Sequence, residues 1–107
     1  MPEILVVDDE PGIRELMREI LEEEGYTVTA LGDPVMAMTF LDESEVDVVI
    51  TDMKMPGMTG QQVLETVRKR HSHVPVMIMT AFGTIDRAVE AMKSGAYDYL
   101  TKPVEPQ

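Results

Sequence analysis

Four short runs in this chain each end on a polar, chemically capable residue, and that repetition restricts the possible folds more than any other feature. Ile4-Leu5-Val6-Val7 runs into Asp8-Asp9, and Val48-Val49-Ile50-Thr51 runs into Asp52. Val76-Met77-Ile78-Met79 ends on Thr80, and Tyr97-Asp98-Tyr99-Leu100-Thr101 ends on Lys102-Pro103. The strands read over Glu3 to Val7 and Val46 to Thr51 are apolar without alternation, as expected when both faces of a strand are covered.

The segments between these runs carry helix signals. Pro11 suits a first helical position. Ile13, Leu16, Met17, Ile20 and Leu21 then form one apolar stripe, and Gly25 stops the helix. Tyr26 to Ala30 alternates, which fits a strand at a sheet edge. Asp33-Pro34 pairs an N-cap with a first-turn proline, opening a short helix over Val35 to Leu41 that gives way to the acidic connection Asp42 to Glu45. After Asp52 a loop reaches Thr59-Gly60. Val63, Leu64 and Val67 mark a third helix, closed by Arg68-Lys69-Arg70, cations that suit a helix C-terminus. His71 and His73 follow in what reads as a solvated loop. Pro75 opens the fourth strand, Thr84 caps a fourth helix from Ile85 to Ser94, and Ala96 to Thr101 is the fifth strand. Strands alternating with helices predict an α/β fold, a doubly wound parallel sheet with helices on both faces.

The 107 residues suit one domain. With no cysteine, disulfides and thiolate metal sites are excluded. No stretch is long and apolar enough for a membrane span, and Met1-Pro2-Glu3 does not open a signal peptide, so a cytoplasmic protein with no membrane partner is expected. The net charge of −11 argues against direct nucleic-acid binding, which needs clustered Lys and Arg.

In an open parallel sheet, sites form beyond the carboxyl ends of the strands, where the strand order switches. If the first and third strands are neighbours, Asp8, Asp9 and Asp52 converge there. Like charges so close repel, and a divalent cation relieves the repulsion. Oxygen ligands without His or Cys fit Mg2+ before Ca2+ and argue against zinc. Thr80 and Lys102 add a hydroxyl and a cation, which completes a pocket for a phosphoryl group. No Gly-rich nucleotide loop is present. Asp52 stands alone at its strand end and is the candidate nucleophile, since a carboxylate can form an acyl phosphate. Singly, each of these residues is more often a turn former, a cap or a solvated side chain. Their joint placement at equivalent ends of successive strands is what sets them apart.

At these residues the chain resembles the receiver domain of two-component response regulators. The motifs are Val6-Val7-Asp8-Asp9-Glu10, Asp52-Met53-Lys54-Met55-Pro56-Gly57-Met58-Thr59-Gly60, Met79-Thr80-Ala81 and Lys102-Pro103, within a match from Ile4 to Pro103. The resemblance implies a flavodoxin-like five-stranded parallel sheet of order 2-1-3-4-5. It implies that Asp52 accepts a phosphoryl group from a sensor histidine kinase. Asp9 would bind Mg2+ directly, Asp8 through water, and the Lys54 backbone carbonyl would complete the protein's ligands. Thr80 and Lys102 would contact the phosphoryl oxygens, Thr80 and Tyr99 would act as switch residues, and the Lys102-Pro103 peptide would be cis. The stretches Thr80-Ala81-Phe82-Gly83-Thr84 and Gly95-Ala96-Tyr97-Asp98-Tyr99-Leu100 look like receivers of the nitrogen-regulation class, which precede an ATPase module that activates transcription with an alternative sigma factor.

The family's fold ends in a fifth helix. Val104-Glu105-Pro106-Gln107 is too short for it, so a receiver domain over residues 1–107 truncated after the fifth strand is expected, with self-association as a homodimer or higher oligomer covering the gap. Two competing readings are a Mg2+-dependent phosphohydrolase, disfavoured because every loop is short, and an interaction module that ignores phosphorylation. As a phosphoacceptor the domain would be no enzyme toward external substrates and would promote only its own phosphorylation and dephosphorylation.

Overall fold

A computed structural model describes residues 2–80 and 98–101. In chain order the elements are β1 (Glu3–Val7), α1 (Pro11–Glu23), β2 (Thr27–Leu31), α2 (Pro34–Glu43), β3 (Val48–Asp52), α3 (Gly60–Arg70), β4 (Val76–Thr80) and β5 (Asp98–Thr101). The strands form one sheet of order β2-β1-β3-β4-β5, and every neighbouring pair is parallel. The order reverses between β1 and β3, as the flavodoxin-like arrangement requires. The expected fourth helix, the Lys102-Pro103 peptide and the segment where a fifth helix would begin lie outside the described residues.

Both faces of the central strands are dry because successive side chains point to opposite sides. Leu5, Val7, Val49 and Ile78 face Ala37, Met38 and Leu41 of α2 and Val63, Leu64 and Val67 of α3. Ile4, Val6, Ile50 and Met79 face the other way, toward Met17, with Ile13 and Leu21 of α1 packed against them. Of the five-residue stripe expected on α1, only Met17 is fully buried, at 2 % exposure. Leu16 and Ile20 are half-buried.

The helix ends follow local chemistry. Pro11 is the first residue of α1, as its fixed φ favours. At the other end the Gly25 N–H donates to Glu22 O and the Tyr26 N–H to Leu21 O. This is the paired-bond C-cap that needs a left-handed residue, supplied by Gly25 at φ 93. The Asp33 carboxylate accepts from the Val35 and Met36 N–H groups at the start of α2. In α3, Thr59 Oγ1 accepts from the Gln62 N–H while Gln62 Oε1 accepts from the Thr59 N–H, a reciprocal capping box.

Three boundaries differ from the sequence expectation. β2 lies one residue later, at Thr27–Leu31, because its register against β1 pairs Glu3 with Thr27. β3 starts at Val48 rather than Val46; Val46 is buried in the approach to the strand. Helix α2 runs on to Glu43, absorbing residues read as an acidic connection. A distant partner accounts for this: Asp42 Oδ2 accepts from Arg70 Nη1 at 2.8 Å, and Asp42 Oδ1 lies 2.8 Å from His71 Nε2. His71, expected in a solvated loop, instead caps α3 and latches it to α2.

The hydrogen bond to His71 holds the Asp42 carboxyl below the usual carboxylate value; Arg70 acts in the same direction and partial burial opposes it. A depressed carboxylate contributes stability above its ordinary pKa and loses it as pH falls through the folded value. The pair is exposed and screened, so the effect is small. Asp42→Asn is expected to melt below the native chain at neutral pH, and the gap should close in acid below the carboxylate range. Thermal denaturation across pH checks this, and a gap that widens in acid would contradict it.

Candidate functional site

The site is built where β1 and β3 leave the sheet side by side. Val7 pairs with Thr51, so the next residues, Asp8 and Asp52, emerge from neighbouring strands at the same level. Both are buried, Asp8 at 0 % and Asp52 at 6 % exposure. Carboxylate oxygens of Asp8, Glu10 and Asp52 lie within 4.8 Å of one another.

Backbone donors fix these carboxylates. The Asp8 N–H donates to Leu31 O, which ties the strand end to β2. Asp8 Oδ1 accepts from the Glu10 N–H at 2.9 Å, the local turn that short acidic side chains form with the backbone two residues on. Glu10 itself is exposed, its carboxylate at the open side of the cluster. Asp52 Oδ1 accepts from the Met53 N–H at 2.9 Å, and the same N–H reaches Met79 O of β4 at 2.9 Å. The loop after Asp52 is anchored by buried Met53 and Met55, which leaves Lys54 between them exposed.

Helix α3 begins directly on this backbone. The Gly60 N–H donates to Met53 O at 2.8 Å. A Cβ at Gly60 would run into the Asp52 carbonyl oxygen and lie 2.9 Å from Met53 Cα. Only glycine allows the helix so close.

Among the expected site residues, Asp8 and Asp52 meet as predicted. Asp9 is exposed and is not one of the three clustered carboxylates. Glu10 takes that place, although nothing in the sequence reading gave it a role. The signal available was its position in the Asp8-Asp9-Glu10 run, immediately before a helix-starting proline. In β4, Met79 pairs with Asp52, so Thr80 follows one residue beyond; in β5, Tyr99 pairs with Ile78 and Thr101 with Thr80. The side chains of Thr80 and Tyr99, and all of Lys102, lie outside the described residues.

Three oxygen donors and no nitrogen or sulfur suit a hard divalent cation of the Mg2+ kind. The donor set therefore fits the ion expected from the sequence.

Residues 4–107 match the response regulator receiver domain family. The chain belongs to that family. A curated relative, the response regulator protein FleR of Pseudomonas aeruginosa, is 43 % identical over 102 residues, covering 95 % of this chain and 22 % of FleR. The transcriptional regulatory protein GlrR of Escherichia coli is 38 % identical, over 95 % of this chain and 23 % of GlrR. This receiver thus spans about a fifth of the length of the curated relatives it matches. These relatives are of the nitrogen-regulation class that the sequence resembles. Among solved structures, the response regulator TrrA of Thermotoga maritima, in complex with Mg2+ and BeF, superposes with a TM-score of 0.88 at 34 % identity, over 98 % of this chain and 90 % of that one.

Helix propensity alone favours Ala over Gly at Gly60. The close approach to Asp52 and Met53 reverses that sign, since the colliding atoms are backbone and cannot swing aside. Gly60→Ala is expected to destabilise the chain by about 1–3 kcal/mol, read by urea denaturation. It should also move the Met53 amide resonance. Equal or greater stability would show that the contact is not as close as described.

Proposed function

We propose that this receiver domain is a phosphoacceptor that takes a phosphoryl group from a phosphohistidine of a sensor histidine kinase onto Asp52. The observation that carries this reading is the convergence of Asp8, Glu10 and Asp52 oxygens within 4.8 Å, at neighbouring strand ends of a receiver-family chain. An Asp52 oxygen forms the new O–P bond as the P–N bond breaks, and the electron pair returns to the departing imidazole. The Met53 N–H on Asp52 Oδ1 helps hold the carboxylate in one orientation.

Mg2+, when bound, supplies neutralising charge for the transferring group. Asp8, Asp52 and Glu10 are the residues placed to hold it, with Asp9 and the Lys54 carbonyl as the further ligands implied by the family. Lys102 and Thr80 would pair with the phosphoryl oxygens, and Thr80 and Tyr99 would report the modified state as a two-state switch. On this reading the domain is cytoplasmic and acts on no external substrate. The output it controls is a transcription activator of the sigma-factor-dependent kind. The relatives FleR and GlrR, of which this chain matches only about a fifth, support that assignment.

Incubation with acetyl phosphate and Mg2+ followed by intact-mass spectrometry tests the proposal. One added phosphoryl group is expected on the native chain, with complete loss in Asp52→Asn and in the presence of EDTA. An adduct that persists in Asp52→Asn, or its absence from the folded native chain, would overturn the assignment.

A further inference from the structure

We propose that Arg14 is the positioning residue of the cation site, acting through the main chain of Asp8 and seated on Gly32. Arg14 Nη1 donates to the Asp8 backbone carbonyl at 2.8 Å. Its own N–H donates to Glu10 O at 3.1 Å, which places it one turn into α1, above the acidic turn. The other end of the Asp8 residue is also held, since its N–H donates to Leu31 O at 3.1 Å. Asp8 is therefore gripped by β2 through its nitrogen and by α1 through its carbonyl.

Gly32 directly follows Leu31 and makes this grip possible. A Cβ there would lie 2.6 Å from Arg14 Nη1 and 3.1 Å from Cζ. The guanidinium rests on the bare backbone of Gly32, and any side chain would displace it. Gly32 has no positive φ to explain it, because the only positive-φ glycines among the described residues are Gly25 and Gly57. A Cβ at this position would therefore require the guanidinium to move off its present seat.

The consequence lies in the acidic turn. Asp8 Oδ1 is fixed by the Glu10 N–H, so the path of the chain from Asp8 to Glu10 sets where both carboxylates stand relative to Asp52. Holding the Asp8 carbonyl fixes that path. Arg14 cannot ligate a cation, since guanidinium has no acceptor and does not deprotonate, and its charge opposes one, so its contribution to binding comes from its hold on the Asp8 carbonyl. Its planar fork is stiffer than a lysine ammonium, so Arg14→Lys should restore the function only in part. Groups that orient the ligands of a metal site are commonly worth tenfold or more in affinity.

The inference rests on the cation-site part of the phosphoacceptor reading, and Mn2+ binding to the unphosphorylated chain, read by electron paramagnetic resonance, tests it apart from phosphorylation. Arg14→Gln is expected to weaken Mn2+ binding about tenfold. Gly32→Ala removes no polar atom, yet should weaken binding in the same direction. In the Arg14→Gln background, Gly32→Ala should change binding by less than about twofold, because no guanidinium is left to displace. The loss of phosphorylation by acetyl phosphate in Arg14→Gln should be recovered by raising Mg2+. Native Mn2+ affinity in Gly32→Ala, native affinity in folded Arg14→Gln, or additive effects in the double variant would each overturn the proposal. If Arg14→Gln fails to fold, Gly32→Ala and Arg14→Lys decide alone. A native chain that is phosphorylated while Arg14→Gln keeps full Mn2+ affinity leaves the phosphoacceptor reading standing and removes this one. A native chain that binds Mn2+ but takes no phosphoryl group does the reverse, provided the variants lose affinity as stated.

Discussion

The parallel pairing of β1 with β3 in the register Val7 to Thr51 is the constraint on which the site depends. A shift of one residue would turn Leu5 and Val7 from the face of α2 and α3 to the face of α1, and would exchange Ile4 and Val6 the other way. Because both faces are packed, neither exchange is tolerated. The packed faces and the backbone ladder together set which residues come last in each strand. Asp8 and Asp52 are brought level by the packing of aliphatic side chains behind them. The acidic site is a by-product of register, and register is held by core.

Placing carboxylates there works against the core that positions them. Asp8 and Asp52 are nearly inaccessible, yet carry the most polar side chains in the described interior. Buried polar groups must be satisfied, and here the backbone provides much of what is needed. The Glu10 and Met53 N–H groups each donate to an Asp oxygen, and Arg14 covers the Asp8 carbonyl. These contacts require close approaches of main chain, which is why glycines occur where they do. Gly60 lets α3 start against the Asp52 carbonyl, and Gly32 leaves room for a guanidinium. Neither of these glycines has positive φ; both serve proximity, unlike Gly25, which serves a helix stop.

Much of the fold was legible in the sequence for a physical reason. Strands buried on two faces show as apolar runs, and Asp33-Pro34 and Pro11 mark helix starts through local hydrogen bonding and fixed φ. The strand order came from family resemblance, since no local signal encodes which strands are neighbours. What could not be read locally depended on partners distant in sequence. Helix α2 continues through Asp42 because Arg70 and His71, about thirty residues later, bind it. That Glu10 stands in the acidic cluster with Asp8 and Asp52 depends on the path of the turn after Asp8, where the Glu10 N–H binds Asp8 Oδ1. Side-chain type alone could not decide between two adjacent acids. Gly32 carries no sequence signal of its relation to Arg14, which exists only once β2 and α1 are packed.

Helix α3 ties these levels together, because its two ends are held by interactions of different stiffness. At the site end, Gly60 lies against the Asp52–Met53 backbone with no side chain between to absorb movement, and the Thr59–Gln62 box closes the first turn. At the far end, Arg70 and His71 reach Asp42 through side chains, and the Arg70 partner is half in solvent, at 52 % exposure. Dense backbone contact resists displacement far more than a screened ion pair between long side chains. Of the two joints that hold α3, the Asp42 latch is therefore the softer.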